Sequence, residues 1–334
     1  MNKALFITDD CDYKKEYTIK SKDSEGNKPF ARDEMVTALK KYFDNVYTTY
    51  SLDDANQYII ENKDAFVVTT YYGIAEADSK SIIPAICKVH GTKYLGADAY
   101  THMICNDKYL SKNYIKKFNL NPIPGVIVYS PDNIDELSEI NTLSYPLIVK
   151  PNFGGGSNGI INSSVTYSNA QTIDLVKKLY SYQKMPIIIE EYIPGYEVSF
   201  IIIGNKTNII FSGESELNID GKNYFSTEVF GLESKKIAPS RKEYRASNYI
   251  DVETQYKMFN LFKSFDKVEF MRIDCRVTQD GAIYVLELSP DCYIGTKGAF
   301  QETLTRHGYS FDEMLKLLID NSLSNQNETF SSFV

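Results

Sequence analysis

Strand-like and helix-like segments alternate through the first hundred residues, and this alternation restricts the possible folds more than any other feature. K-A-L-F-I-T (3–8), N-V-Y-T-T-Y (45–50), A-F-V-V-T-T (65–70) and K-Y-L-G (93–96) are short strand-like runs. Between them, residues 31–43 carry Met35, Leu39 and Tyr42 at helical spacing, and 53–62 is a second helix-like segment. Strands alternating with helices predict an open, mostly parallel sheet. Ligands of such sheets sit beyond the carboxyl ends of the strands. That places Asp9, Asp10, Cys11, Asp12 and the segment Thr69–Gly73 near a crevice. The polar stretch that follows, through Lys28, reads as a long surface loop.

A different pattern starts near residue 100. A helix is expected at 106–118, broken by N-P-I-P-G, with strands at 125–129 and 146–150. P-L-I-V-K-P-N (146–152) and G-I-I-N-S-S (159–164) read as two strands bracketing the run G-G-G-S-N-G (154–159). From about 186 the chain is strand-rich, with P-I-I-I-E-E-Y-I (186–193) and E-V-S-F-I-I-I-G (197–204). A helix is expected over 252–264, then strands at 270–277 and 282–288 joined at Asp280-Gly281, a strong hairpin turn signal. Helical periodicity continues to about 320, and a polar tail is expected to fray. The chain therefore divides into units at 1–100, 101–190 and 191–325, with a tail at 326–334.

Charge and cysteine content exclude several classes. Lys and Arg number 36 against 44 Asp and Glu, a formal net charge of -8, where a broad nucleic-acid surface needs the opposite balance. No apolar run reaches the ~18 residues that span a bilayer. The start, M-N-K-A-L-F-I-T-D-D, reads as a first strand rather than a signal peptide. Cys11, Cys87, Cys105, Cys275 and Cys292 are dispersed, as are His90, His102 and His307. Such a set fits reduced thiols and a cytoplasmic protein better than a disulfide framework or a zinc site.

Four motifs bear on chemistry, each with two readings. Gly155, Gly156 and Ser157 stand in a loop whose backbone amides could cradle phosphate oxygens; equally, it could be a flexible hairpin tip. Lys150, at the end of an apolar run, either neutralises phosphate charge or snorkels to solvent, since a buried amine needs a partner. In E-E-Y-I-P-G-Y-E (190–197), an edge backbone could bond a base and a glutamate could accept from ribose; the bland reading is a strand–turn–strand connection. Asp274 and Glu287 lie on opposite arms of the last hairpin at similar height. Carboxylates that close need a cation between them or a shared proton, and a carboxylate-only site near polyphosphate favours Mg²⁺. Arg272, two residues before Asp274, suits phosphate or developing negative charge. The alternative is an Arg–carboxylate network on an exposed sheet face.

Taken in order, Lys108, V-K-P with its glycine-rich loop, E-E-Y-I-P-G-Y-E, R-I-D and the E-x-S-P pattern at 287–290 resemble the ATP-grasp superfamily, in its D-alanine–D-alanine ligase-like branch. The resemblance runs from about residue 91 to about 320, and the amino-terminal unit fits only in outline. It implies an amino-terminal α/β domain followed by an ATP-grasp fold of two subdomains, a lid (101–190) and a catalytic part (191–325). It further implies an ATP- and Mg²⁺-dependent ligase that phosphorylates a carboxylate and lets an amine attack the acyl phosphate. Two metal ions are implied, with Mn²⁺ as the alternative. By the same resemblance Lys108 and Lys150 contact the ATP phosphates, and Gly155, Gly156 and Ser157 close over them. Glu190, Glu191, Tyr192 and Ile193 line the adenine, and Glu197 holds the ribose. Asp274, Glu287 and Ser289 hold the metal, while Arg272, Lys150 and Ser157 act on the transferred phosphoryl group. The partners are small carboxylate and amine substrates, amino acids foremost, and the amino-terminal unit would carry a homodimer contact. Thr296 and Lys297, in Y-I-G-T-K-G, are candidates for binding a substrate carboxylate or else form a solvated helix start.

The chain departs from that family's pattern in three places. Ser289 stands where an Asn is usual after the metal Glu, and Asp291 is a nearby substitute. T-D-D-C-D (8–12) stands where a glycine-rich segment with an ammonium-binding acid is usual. The expected loop lysine has only Lys222, Lys235 and Lys236 as nearby candidates. These departures argue against assuming D-alanine as substrate. They also keep two other functions open: an ATP-binding regulatory protein without catalysis, and an enzyme that passes its acyl phosphate to a non-amine acceptor.

Overall fold

The structure is a computed structural model that describes residues 2–9, 29–73, 76–136, 138–157, 159–229 and 242–331. The first unit comprises β1 (Lys3–Thr8), α1 (Pro29–Leu39), β2 (Asn45–Thr49), α2 (Leu52–Glu61), β3 (Phe66–Thr70), α3 (Ile82–His90) and β4 (Lys93–Tyr94). Its sheet is parallel throughout, in the order β2-β1-β3-β4, as the alternation predicts. Local chemistry sets the helix ends. Ser51 caps α2 by accepting from the Asp54 amide, and Gly91 ends α3 in the left-handed conformation. Helix α3 was not anticipated from the sequence; its Pro84 falls in the first turn, where proline is tolerated. Asp10, Cys11, Asp12 and the expected loop through Lys28 lie outside the described residues.

The expected helix at 106–118 is two helices, α4 (Ala99–Asn106) and α5 (Lys108–Ile115), with a single 3₁₀ turn after the second. Asp107 separates them because its backbone is extended and its carboxylate accepts from the Leu110 amide, an N-cap that starts a new helix. The next sheet contains β5 (Gly125–Val128), β6 (Leu147–Pro151), β7 (Val165–Thr166) and β8 (Ile187–Glu191), antiparallel in the order β5-β8-β6-β7. It packs on α6 (Asn169–Gln183) through Val149, Ile187, Ile189, Val176 and Leu179. G-I-I-N-S-S is not the predicted return strand. Gly159 is left-handed with its Cα packed on the Pro151 ring, Asn162–Ser164 is a 3₁₀ turn, and pairing resumes only at Val165.

The third sheet is built from β9 (Gly195–Gly204), β10 (Ile209–Ile219), β11 (Tyr224–Phe225), β12 (Lys242–Ala246), β13 (Phe270–Val277) and β14 (Ile283–Ser289). Its order is β12-β10-β9-β13-β14, with β11 paired to β9. One face, carrying Val198, Phe200, Ile202, Met271, Ile273 and Cys275, packs on Met258, Leu261 and Phe262 of α7 (Val252–Lys263). The opposite face meets the first unit at one end. There Ile201, Ile203 and Phe270 share a core with Ala4 and Phe6 of β1 and with Leu304, Met314 and Leu315 of α8 (Ala299–Arg306) and α9 (Phe311–Ser331). That shared core brings the carboxyl ends of the parallel strands beside the polar end of the third sheet. Helix α9 continues past the point where apolar periodicity stops, since an anchored helix propagates cheaply through polar residues. Cys87, Cys105, Cys275 and Cys292 are buried and unbridged.

Candidate active site

Period-two alternation turns Glu197, Ser199, Arg272, Asp274 and Arg276 toward one face, because Asp274 pairs with Ser199 and Arg276 with Glu197. On the outer side, Asp274 pairs with Glu287 and Arg272 with Ser289. This pairing depends on a bulge at Leu286. Nearer the turn Val277 faces Ile283 and Cys275 faces Val285, a register that without a shift would set Asp274 opposite Leu286 and send Glu287 to the apolar face. The extra residue brings both carboxylates to the polar face.

Arg272 grips Asp274 bidentately, Nε to Oδ1 at 2.8 Å and Nη2 to Oδ2 at 2.7 Å. Ser199 Oγ donates to Oδ1 at 2.7 Å. Arg276 Nη2 reaches Glu197 Oε2 at 3.1 Å, and its guanidinium lies over the Tyr192 and Phe225 rings. Through β10, the register Ser215–Ser199, Ser215–Ala246 and Ile219–Lys242 puts Lys242 on this same face. Desolvation, helped by the Arg272 charge, draws its ammonium down to about 8, with Glu197 and Asp274 opposing.

A second cluster lies where α5 meets the smaller antiparallel sheet. Glu190 is fully buried; Lys112 Nζ lies 2.7 Å from its Oε1 and Lys150 Nζ 2.7 Å from its Oε2. Burial alone would raise this carboxyl, but the two ammonium groups hold it below its ordinary range. Lys150 thus has the partner its burial demands. Glu190, expected beside a nucleobase, turns its side chain to this pair of lysines. The backbone around it is not an open edge either. β8 is a central strand, and the Glu191 and Tyr192 amides donate to Pro124 O at 3.0 Å and Pro146 O at 2.8 Å. The Glu191 side chain accepts from the Ser144 amide at 2.8 Å. Ile193 follows, half-buried, at the connection to β9.

Lys108 Nζ donates to Gly154 O, and the Gly154 amide donates to Asn106 Oδ1 at 3.0 Å, so the glycine-rich loop starts from the α4–α5 junction. Ser157 holds φ 65, a left-handed backbone unusual for a residue with a side chain.

The first unit supplies a third set. Asp9 accepts from the Tyr72 amide at 2.8 Å and the Gly73 amide at 3.0 Å, which joins the two segments expected at the crevice. The Tyr72 hydroxyl donates to Asp291 O at 3.1 Å, and Lys80 Nζ lies 2.8 Å from Asp291 Oδ2. Asp291, the nearby substitute for Ser289, thus has Lys80 as its ion-pair partner. Thr296 donates its amide to Glu34 at 3.3 Å, and Lys297 Nζ lies over the Phe30 ring, so both face α1. Lys222 pairs with Glu228 at the surface, while Lys235 and Lys236 lie outside the described residues. Lys112, Ser199, Arg276, Lys80 and Lys242 were missed from sequence. Lys112 carried a signal in its spacing of four from Lys108, and Ser199 and Arg276 in their spacing of two from Glu197 and Asp274.

His102 is buried beside these groups, and desolvation holds it down at about 4 against an ordinary 6.5. The unfolded chain therefore takes up a proton that the folded chain refuses. Stability from this group is complete above pH 6.5 and falls as pH drops toward 4, by about 3 kcal/mol in all. Urea midpoints of a His102→Leu variant should fall less over that window than those of the unaltered chain; equal slopes would contradict the assignment.

What the residues fit can be judged from the donor set. Among the described residues no group of three or more His, Cys, Asp or Glu side chains gathers as a self-contained metal site. Two facing carboxylates with a serine hydroxyl beside them suit Mg²⁺, which commonly binds one or two carboxylates and completes its shell with phosphate and water. Two buried ammonium groups against one carboxylate leave one positive charge over, which suits a polyphosphate.

Residues 115–320 match the family model described as "D-ala D-ala ligase C-terminus". The D-alanine–D-alanine ligase A of Bacillus cereus is 23% identical over 71% of this chain and 74% of its own length. The D-alanine–D-alanine ligase B of Clostridium perfringens is 25% identical over 72% and 76%. Among solved structures, the D-alanine–D-alanine ligase of Bacillus anthracis complexed with ATP superposes with a TM-score of 0.73 at 17% identity, covering 98% of this chain and 100% of that one. The VanG D-Ala:D-Ser ligase of Enterococcus faecalis gives 0.61 at 20%, covering 77% and 72%. Among the described residues no helix is long and apolar enough to cross a membrane.

Proposed function

The chain belongs to the D-alanine–D-alanine ligase C-terminal-domain family, whose fold is the ATP-grasp, and on that premise we propose that it joins the carboxylate of one amino-acid-like substrate to the amine of another at the cost of ATP. One observation carries the reading: the bulge that sets Glu287 opposite Asp274 on the polar face, beside Arg272. The buried Lys112–Glu190–Lys150 cluster and the Lys108-anchored loop supply the matching positive charge for phosphates.

In this reading Lys108 and Lys150 hold the ATP phosphates, and the backbone at Gly155, Gly156 and Ser157 covers them. Glu191 to Ile193 pass the nucleobase, and Glu197, fixed by Arg276, meets the ribose. Asp274, Glu287 and Ser289 would hold Mg²⁺, which when bound neutralises charge on the phosphates. Arg272, oriented by Asp274, stabilises the phosphoryl group as a substrate carboxylate oxygen displaces ADP. The acyl phosphate is open to hydrolysis, so the covering loop also serves to exclude water. The acceptor amine then attacks the acyl carbon, phosphate leaves with its bonding pair, and the amine loses a proton to give the amide. In this reading Lys242, on the same face as Arg272 and Asp274, serves as the loop lysine in preference to Lys222, Lys235 and Lys236. Asp9, Tyr72 and the turn after Ser289 border the substrate end, with Thr296 and Lys297 toward α1.

The test is ADP release with Mg²⁺ and a panel of D- and L-amino acids, singly and in pairs, with products identified by mass. A pair that gives equal amounts of ADP, phosphate and amide is the expected result. Nucleotide binding with no turnover under any pair would instead make the chain a binding protein. A hydroxamate formed from one carboxylate and hydroxylamine, without amide formation from any amine, would point to a non-amine acceptor.

A further inference from the structure

Lys112 stands outside the phosphate-contact and metal-ligand assignments, yet it touches both halves of the site. It lies one helical turn beyond Lys108 on α5, and its side chain is 6% exposed. Its Nζ meets Glu190 Oε1 at 2.7 Å, across from Lys150, and also donates to Leu286 O at 3.1 Å. Leu286 is the bulge residue, immediately before Glu287, and β14 is the outermost strand of its sheet. The chain leaving α5 completes this edge from the other direction. Val285 N donates to Asn121 O at 2.9 Å, and Asn121 Nδ2 donates to Ile283 O at 3.1 Å. Without Lys112, the bulge carbonyl would lose this donor on a half-buried edge.

We infer that Lys112 is a positioning residue that fixes the Leu286 bulge, and with it the direction of Glu287, relative to the Lys150–Glu190 pair. The inference rests on the proposed nucleotide and Mg²⁺ sites. Its physical content is that a slip of the bulge by one residue would return Glu287 to the apolar face, so whatever holds the bulge carbonyl holds the carboxylate pair together. Glu287 is also among the charges felt by the Lys112 ammonium, which burial otherwise disfavours. The contact joins the smaller antiparallel sheet to the metal strand through one ammonium group, so phosphate binding at Lys150 and metal binding at Glu287 are coupled.

The experiment measures ADP affinity calorimetrically, with and without Mg²⁺, in the full chain and in K112M, E287Q and the double variant. The ratio of the two affinities is the metal gain. K112M removes a charge near the phosphates, so its affinity without metal falls whatever else it does; the metal gain isolates positioning. A tenfold or greater loss of that gain is expected in K112M, on the scale of residues that orient metal ligands. In the E287Q background K112M should remove nothing further, and Lys112→Arg, which keeps donor and charge, should keep most of the gain. Should K112M not fold, Lys112→Gln, too short to span Glu190 and Leu286, takes its place with the same expectation. A metal gain unchanged in K112M, or reduced equally with and without Glu287, overturns the inference and leaves the ligase reading standing. Absence of ADP binding by the unaltered chain overturns both.

Discussion

Glu287→Gln is expected to lower turnover by about 10²–10³-fold while the chain remains folded, the cost of removing a preorganised charge at a reacting phosphate. The glutamine has the same shape, so the bulge and the core behind β14 are undisturbed. Its effect on stability should change sign with ligand. Glu287 and Asp274 face each other directly across two strands, and like charges so placed repel. In metal-free buffer the variant should therefore melt no lower than the unaltered chain, and higher by about a degree or two on the scale of such pairs. With Mg²⁺ and ADP the order should reverse, because only the unaltered chain gains the full stabilisation of binding. Melting curves with and without both ligands, beside an ADP-release assay, check this. Turnover within tenfold of the unaltered chain would remove Glu287 from the metal site.

Glu190→Gln is expected to cost about 3–5 kcal/mol of stability, the usual result of stripping a buried ion cluster of its counter-charge. Lys112 and Lys150, at 6% and 9% exposure, would be left buried with no carboxylate between them. The sign of the pH dependence follows. Burial already lowers the Lys112 ammonium below 10.5, with Glu190 the leading opposition, so removing Glu190 lowers it further. The unfolded variant then holds more protons than the folded one, and its stability rises with pH. Its deficit should be largest near neutrality and shrink as pH climbs toward 10.5. ADP should also narrow it, since phosphate can stand in for the missing carboxylate; saturation at a hundred times Kd is worth about 2.7 kcal/mol. Denaturant titrations across that pH range test both statements, and a loss under about 1 kcal/mol would mean the cluster is not the buried charge centre that its geometry describes.

The legible parts of this molecule are those governed by contacts close along the chain. Alternation of short apolar runs with helical spacing is enough to specify the parallel sheet of β1 to β4, and the Asp280-Gly281 turn is enough to put β13 beside β14. The same holds for Lys108, the glycine-rich loop and R-I-D, whose spacing carried the family resemblance. The sequence misleads where one local signal competes with another. Asp107 looked like helix interior but caps α5, and Gly159 looked like a strand start but takes a left-handed turn against Pro151.

Other features depend on distant packing, and no local rule reaches them. Counting from the Asp280-Gly281 turn sets Asp274 opposite Glu287, but it does not show that the strands nearer the turn run one residue out of that register and that a bulge at Leu286, contacted from outside by Lys112, restores it. Nothing local in E-E-Y-I-P-G-Y-E shows that Glu190 is buried on a central strand, where α5 delivers a second lysine to it beside Lys150. Nothing near Asp291 in the chain shows that Lys80, from the first unit, lies against it. Element type and turn type follow from the residues within a few positions of each other. Which group a buried charge meets across 174 residues, as Lys112 meets the Leu286 carbonyl, is set by how helices and sheets pack, because a buried charge takes the partner that packing brings and not the one nearest in the chain.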